Sequence, residues 1–296
     1  MSSTLQGLVV AAHGRHYEVE LDGGERVNGI PRGKKSLCAC GDQVEVERIS
    51  PDQVQIRTHL PRSSLLYRSD AYREKLIAAN VTQVVLVVAT EPSFSSELLS
   101  KILVASESQG LRSLIILNKV DLIDRLPSAR AQLAPFAALD YPLIEICARQ
   151  HVTSLLPLLE GQLSVVVGQS GMGKSTLINT LVPTAAAVTR EISTVLDSGK
   201  HSTTHARLYR LNEVSALIDC PGVQEFGLAH LSGGAIEQGF IELRPYLGHC
   251  RFRDCRHQAE PDCAIKNAVA QGQVDAQRLQ QLQRLLAGRT EATGHS

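Results

Sequence analysis

The chain has 296 residues, 43% of them hydrophobic, and 30 Lys+Arg balance 30 Asp+Glu to a formal net charge of zero. That length suits two or three units, and zero charge removes any bulk drive toward nucleic acid, so an RNA contact has to come from a local patch. The absence of tryptophan and the 4% aromatic content argue against a base-stacking surface.

No apolar run reaches membrane-spanning length, and the start, Met1 to Gln6, lacks a charged segment followed by an apolar one, so no signal peptide is expected. The seven cysteines are an odd number, and three fall late around one histidine. Cytosol and a metal therefore fit better than disulfides.

Residues 1–62 read as strands. Leu8–Val10 opens, and Tyr17, Val19 and Leu21 alternate with Glu18 and Glu20. Val27 and Ile30, Val44 and Val46, and Val54 and Ile56 continue a period of two, with turns at Gly23-Gly24 and Ser50-Pro51-Asp52. About five short strands predict a small barrel, with the oligonucleotide-binding (OB) type as first choice and a spacer barrel as the alternative. Pro31-Arg32-Gly33-Lys34-Lys35 lies between barrel strands, either as an RNA-backbone patch or as a solvated loop. Cys38 and Cys40, with one residue between them, have poor zinc spacing and read as structural.

Residues 63–80 read as a linker, with a short helix expected in the segment from Pro61 to Asn80; Arg62, Arg68, Arg73 and Lys75 face Asp70 and Glu74 in its composition. From 81 to 226 strands and helices alternate. Strands are expected at Val84–Ala89, Leu114–Leu117, Leu143–Cys147, Leu163–Val167 and Ala216–Ile218, and helices at Ser95–Glu107, Val152–Leu159 and Lys174–Leu181. The pattern is α/β with a mainly parallel sheet. Residues 227–296 turn polar and helical, and Leu279, Leu282, Leu285 and Leu286 mark an amphipathic helix.

Three motifs each follow a predicted strand. Gly168-Gln169-Ser170-Gly171-Met172-Gly173-Lys174-Ser175, with Thr176 after it, is a phosphate loop. Its glycines let backbone N–H groups wrap phosphates, Lys174 reaches the outer oxygens as a catalytic cation, and the Ser175 hydroxyl ligates Mg2+. In Asn118-Lys119-Val120-Asp121, the Asp121 carboxylate can accept two hydrogen bonds from a guanine edge while Asn118 and Lys119 brace the pocket. In Asp219-Cys220-Pro221-Gly222, Asp219 would hold the magnesium water shell and the Gly222 amide would touch the γ-phosphate. In an ordinary GTPase the phosphate loop comes first and Asn-Lys-x-Asp last, so here the chain is rotated through the fold.

Weaker signals surround these motifs. Thr203, or next Thr204, could complete magnesium coordination. Cys147 and Ala148 follow a strand where a backbone amide could read the guanine carbonyl. Val223 stands where Ras-type enzymes place a water-orienting glutamine, which leaves His201 or His205 as candidates for that role. Cys250, Cys255, His257 and Cys263 offer three thiolates and an imidazole, a donor set for a closed structural zinc site.

Permuted motif order, an N-terminal barrel and a C-terminal zinc cluster together make the chain resemble the RsgA family, the small-ribosomal-subunit-dependent GTPases. Ile77–Asn80, Gly168–Leu177, Asp219–Gly227 and Tyr246–Ile265 carry the resemblance. It implies a multidomain chain: an all-β OB-type barrel, an α/β circularly permuted P-loop GTPase domain and an α-helical zinc-binding domain. It also implies GTP/GDP, Mg2+ and one structural Zn2+, turnover stimulated by the small ribosomal subunit during its late maturation, and contact with ribosomal RNA through barrel and zinc domain. In the family the histidine matching His201 is implicated in hydrolysis. A cytoplasmic monomer with no membrane partner is expected. Two other functions fit parts of the sequence: a nucleotide-regulated RNA-binding module with negligible turnover, and a P-loop ATPase or small-molecule kinase indifferent to Asp121→Asn.

Overall fold

The computed structural model describes residues 4–14, 16–33, 38–69, 74–150, 152–183, 185, 206–220 and 226–293. Five strands form the N-terminal barrel: β1 (Leu5–His13), β2 (His16–Leu21), β3 (Arg26–Pro31), β4 (Gln43–Ser50) and β5 (Gln53–His59). They pair in the order β1-β2-β3-β5-β4, and β4 closes back on β1. Only β3 and β5 run parallel, the crossover expected of an OB-type barrel. Val19, Val44, Val46, Val54 and Ile56 are fully buried inside, while the polar residues between them face outward.

The helix expected between Pro61 and Asn80 is replaced by a hairpin. β6 (Leu65–Ser69) pairs antiparallel with β7 (Glu74–Ala79). Ile77, Ala78 and Ala79 are all buried, and three consecutive buried residues suit a strand covered on both faces rather than a surface helix. Just beyond, Asn80 adopts a left-handed φ of 57°, and its amide donates to Gly41 O (2.9 Å) and accepts from Ser63 N (2.8 Å). Arg62 forks onto the fully buried Asp42 at 2.7 Å, so barrel and hairpin are joined by a planar ion pair.

The central sheet contains β8 (Gln83–Ala89), β9 (Arg112–Asn118), β10 (Leu143–Glu145), β11 (Leu163–Val167), β12 (Ala206–Arg210) and β13 (Ala216–Asp219). Its order is β10-β9-β8-β11-β13-β12. All pairs are parallel except β12–β13. Every residue of β8 is buried, as a strand covered by layers on both faces requires. β12, which the sequence did not signal, pairs antiparallel with β1, so barrel and central sheet form one continuous sheet of 11 strands.

Helix α1 (Ser96–Ser108) starts on Ser95, whose hydroxyl caps Leu98 N. α2 (Leu126–Ala137) buries Ala129, Leu133 and Phe136 and was not anticipated. The helix expected at Val152–Leu159 is a 3-10 turn (Thr153–Leu155) leading into α3 (Leu156–Leu159). α4 (Lys174–Leu181) follows the phosphate loop. The C-terminal part holds α5 (Gly233–Gln238), a 3-10 turn (Ile241–Tyr246), α6 (Ala264–Ala270) and α7 (Ala276–Thr293).

These last elements share one core with the sheet. Phe240, Ile265 and Leu282 are fully buried in the cluster that contains Ile102 and Val104 of α1. A Cβ on Gly239 would lie 2.7 Å from Val104 Cγ1, so the chain passes directly over α1. Arg278, 1% exposed, lies over the rings of Phe136 and Phe240 (4.8 and 4.5 Å to the centroids). It also bonds Glu242 Oε1 (2.5 Å), Ser100 Oγ (2.8 Å) and Gln281 Oε1 (3.0 Å).

Candidate nucleotide and metal sites

The strand order places the carboxyl ends of β9, β8, β11 and β13 side by side, the edge where ligands bind in parallel sheets. Asn118, Gly168 and Asp219 all emerge at this edge. The loop from Gly168 to Ser175 is packed too tightly for side chains at two points. A Cβ on Gly168 (φ 151°) would lie 2.2 Å from Val87 O, and one on Gly173 (φ 89°) would lie 2.3 Å from Asn118 Nδ2. The glycines thus set the loop against its neighbours as well as clearing space for phosphate.

Asn118 is 2% exposed and joins three segments. Its Nδ2 donates to Met172 O (2.9 Å), and its Oδ1 accepts from Ala148 N (2.9 Å) and Lys119 N (2.8 Å). Thr180 Oγ1 donates to Ala148 O (2.8 Å), which fastens the Cys147-Ala148 turn to α4. Lys119 has a left-handed φ of 61°, and its Nζ donates to Gly171 O and Glu91 O, both at 2.7 Å. Asp121 is exposed at the rim, as are Ser170 and Ser175, while Thr176 is partly covered. Gln169 turns away from the loop mouth: its Oε1 accepts the Ser95 N–H at 2.6 Å.

Lys174 is 7% exposed and its Nζ bonds the carbonyls of Gly168 (2.7 Å) and Gln169 (2.8 Å). Burial lowers its pKa, opposed by the Asp219 carboxylate; burial raises the pKa of Asp219, opposed by Lys174. Two opposite charges held in a partly dry pocket can clamp an anion and a hydrated divalent cation together. His201, Thr203, Thr204, His205, Gly222 and Val223 lie outside the described residues, as do Lys34 and Lys35 of the basic loop.

In the C-terminal part, one ligand atom each from Cys250, Cys255, His257 and Cys263 falls within 4.8 Å of all the others. Zn–S bonds of about 2.3 Å in a tetrahedron put sulfurs about 3.8 Å apart. Cys250 Sγ and Cys263 Sγ are 3.8 Å apart, and His257 Nδ1 lies 3.6 and 3.3 Å from them. The donor set therefore fits zinc through Nδ1. His257 takes a left-handed φ of 59°, and its Nε2 faces Glu237 Oε1 at 3.3 Å. That carboxylate pulls the imidazole pKa up to about 9, and with zinc on Nδ1 it would retain the Nε2–H and fix the ring. Glu237 comes from α5 and had no signal in the sequence. Cys38 and Cys40 are buried in or beside the barrel, and Cys40 Sγ donates to Val10 O at 3.4 Å, a structural role.

A phosphate loop, a guanine-type loop and an Asp-x-x-Gly strand on one sheet edge, in rotated chain order, define a circularly permuted P-loop GTPase. Comparison with known proteins makes the assignment specific. The RsgA GTPase family model matches residues 59–229. A Nitrosospira multiformis protein named small ribosomal subunit biogenesis GTPase RsgA is 53% identical, over 97% of this chain and 91% of its own. The Nitrosomonas europaea protein of the same name is 51% identical, over 97% and 92%. The crystal structure of YjeQ from Thermotoga maritima superposes with a TM-score of 0.72 at 27% identity, covering 99% of this chain and all of that one. The fold is also that of YloQ, a circularly permuted GTPase, with a TM-score of 0.69 at 22% identity over 98% and 96%. The chain belongs to the RsgA GTPase family and is a GTP hydrolase.

Proposed function

We propose that this GTPase acts on the small ribosomal subunit late in its maturation, and that the subunit raises its turnover. The observation that carries the reading is the three-way clasp of Asn118 between phosphate loop, Asn-Lys-Val-Asp loop and Cys147-Ala148 turn, in a chain whose relatives are named for small-subunit biogenesis. Asp121 reads the guanine edge, and Gly168–Thr176 cradles the phosphates with Lys174 as the cation on the outer oxygens. Ser175 and Asp219 hold Mg2+, directly and through its water shell. Bound Mg2+ would supply charge neutralisation at the phosphates. Thr203, with Thr204 as second choice, completes that coordination, and His201 or His205 positions the water in place of the residue at Val223.

The proposed units of the chain are a barrel (1–62), a linker (63–80), the GTPase domain (81–226) and a zinc-binding helical domain (227–296). RNA is the partner of the two outer units. A groove of about 730 Å3 beside the zinc ligands supports this. Arg251, Arg253 and Arg256 line it together with Phe252, which is 41% exposed. Clustered cationic side chains, one of them over the Phe252 ring, suit a nucleic-acid backbone. No helix among the described residues is long and apolar enough to cross a membrane, and the proposed setting is the cytoplasm, as a monomer.

Loss of γ-phosphate contact at Gly222 would reorient the C-terminal domain and release the protein from RNA. Phe226, Leu228 and Leu231, which follow that loop, are buried in the shared core and offer a route for the signal. The deciding experiment is GTP hydrolysis by the purified protein alone and with small ribosomal subunits, with ATP as control. GTP-specific stimulation by the subunit is expected. Slow turnover indifferent to the subunit would remove the ribosomal assignment and leave the GTPase.

A further inference from the structure

We propose that Thr90 is a positioning residue for guanine recognition, and that it sets the discrimination between guanine and bases lacking the 2-amino group. The inference rests on the reading of Asp121 as the guanine-binding carboxylate.

Asp121 projects from the turn that begins at Lys119, and the Lys119 carbonyl closes that turn by accepting Leu122 N–H at 3.0 Å. Lys119 itself is left-handed, a conformation unfavourable for a side-chain-bearing residue that persists only where its surroundings hold it. Its N–H is held by Asn118 Oδ1 and its ammonium by two carbonyls. The remaining polar group, the Lys119 carbonyl, takes a second hydrogen bond from Thr90 Oγ1 at 2.8 Å. Thr90 is 8% exposed, and its own N–H continues the β8–β9 ladder by bonding Asn118 O at 3.1 Å. A buried hydroxyl rooted in the central sheet therefore grips the one carbonyl that both ends the strained residue and starts the Asp121 turn. The hydroxyl donates its hydrogen bond to the Lys119 carbonyl, so its effect on the base passes through Lys119 and Asp121.

Inosine diphosphate tests this. It keeps the ring N–H of guanine but lacks the 2-amino group, so the ratio of GDP to IDP affinity reports one of the two Asp121 hydrogen bonds. Wild-type protein should prefer GDP. In Thr90→Val, which preserves shape and removes the hydroxyl, the ratio should shrink about tenfold, the scale of a hydrogen bond to a charged group. Thr90→Ser should restore it, and Thr90→Ala serves as the second probe if the valine variant does not fold. A ratio equal to wild type in the folded variants, whatever happens to the absolute affinities, overturns the proposal, because loss of general loop support weakens both nucleotides alike. A wild-type protein with no preference for GDP over IDP would instead refute the Asp121 reading, and this inference with it.

Discussion

Lys174 and Arg278 are both nearly sealed from solvent, and the protein treats the two charges differently. Arg278 has an ion pair with Glu242, hydrogen bonds to Ser100 and Gln281 and cation–π contacts with the rings of Phe136 and Phe240. Lys174 has two backbone carbonyls and the field of Asp219, and both of those charged groups are shifted toward neutrality by burial. Side chains and rings surround the Arg278 guanidinium, with Glu242 Oε2 the one buried oxygen of the cluster left without a partner among the described residues, so this first cluster serves architecture, holding α7 against α1 and α2. The second keeps opposed charges dry at the edge of a sheet, where a polyanion and a cation would complete it. The satisfaction of a buried charge, more than its presence, separates framework from function here.

Arg278→Met should destabilise the protein by about 3–5 kcal/mol, because Glu242 is left buried without its partner. Pairing it with Glu242→Gln should return much of that loss. Denaturant unfolding measures both, and a single variant as stable as wild type would contradict the architectural role. At the other cluster, Lys174→Ala should lower GTP turnover by about 10²–10³-fold while moving the melting temperature less than Arg278→Met does. Turnover within a few-fold of wild type would remove Lys174 from the chemistry.

The smallest expected effect concerns Asp219. Its folded pKa is raised by burial, so the folded state holds its proton to higher pH than the unfolded state does. Below the usual carboxylate range both states are protonated and no penalty exists. As pH rises through the raised folded value the penalty develops in full, and stability falls. Asp219→Asn should therefore gain a little thermal stability over wild type without nucleotide or metal, with the gain growing from acid to neutral pH. A gain independent of pH would assign the effect to packing.

Much of this arrangement was legible in the sequence because its signals are local. The alternation from Tyr17 to Leu21, the apolar run Val84–Ala89 and the three motifs each announce themselves within a few residues. The hairpin Leu65–Ala79 was missed because its charged residues mimic a helical surface, whereas burial of Ile77–Ala79 depends on the distant core. β12 and α2 were missed for a related reason: Leu208 and Phe136 gain their meaning from partners far along the chain. The same holds for Glu237 behind His257 and for Thr90 under Lys119. Their hydrogen bonds span 20 and 29 residues, and no spacing rule reaches that far.

The β1–β12 pairing bears on how the chain could be dissected. Ala11 and Ala12 pair with Arg207 and Ala206, and Arg207 and Arg210 reach across to Glu18 and Glu20 of β2. The barrel is thus the cover on the outer strand of the GTPase sheet. Trimming it away would bare the backbone donors and acceptors of β12 at Ala206 and Arg207, a template for adhesion between copies. A fragment beginning near residue 63 should aggregate, while one that retains β1 and β2 would keep that margin blunted.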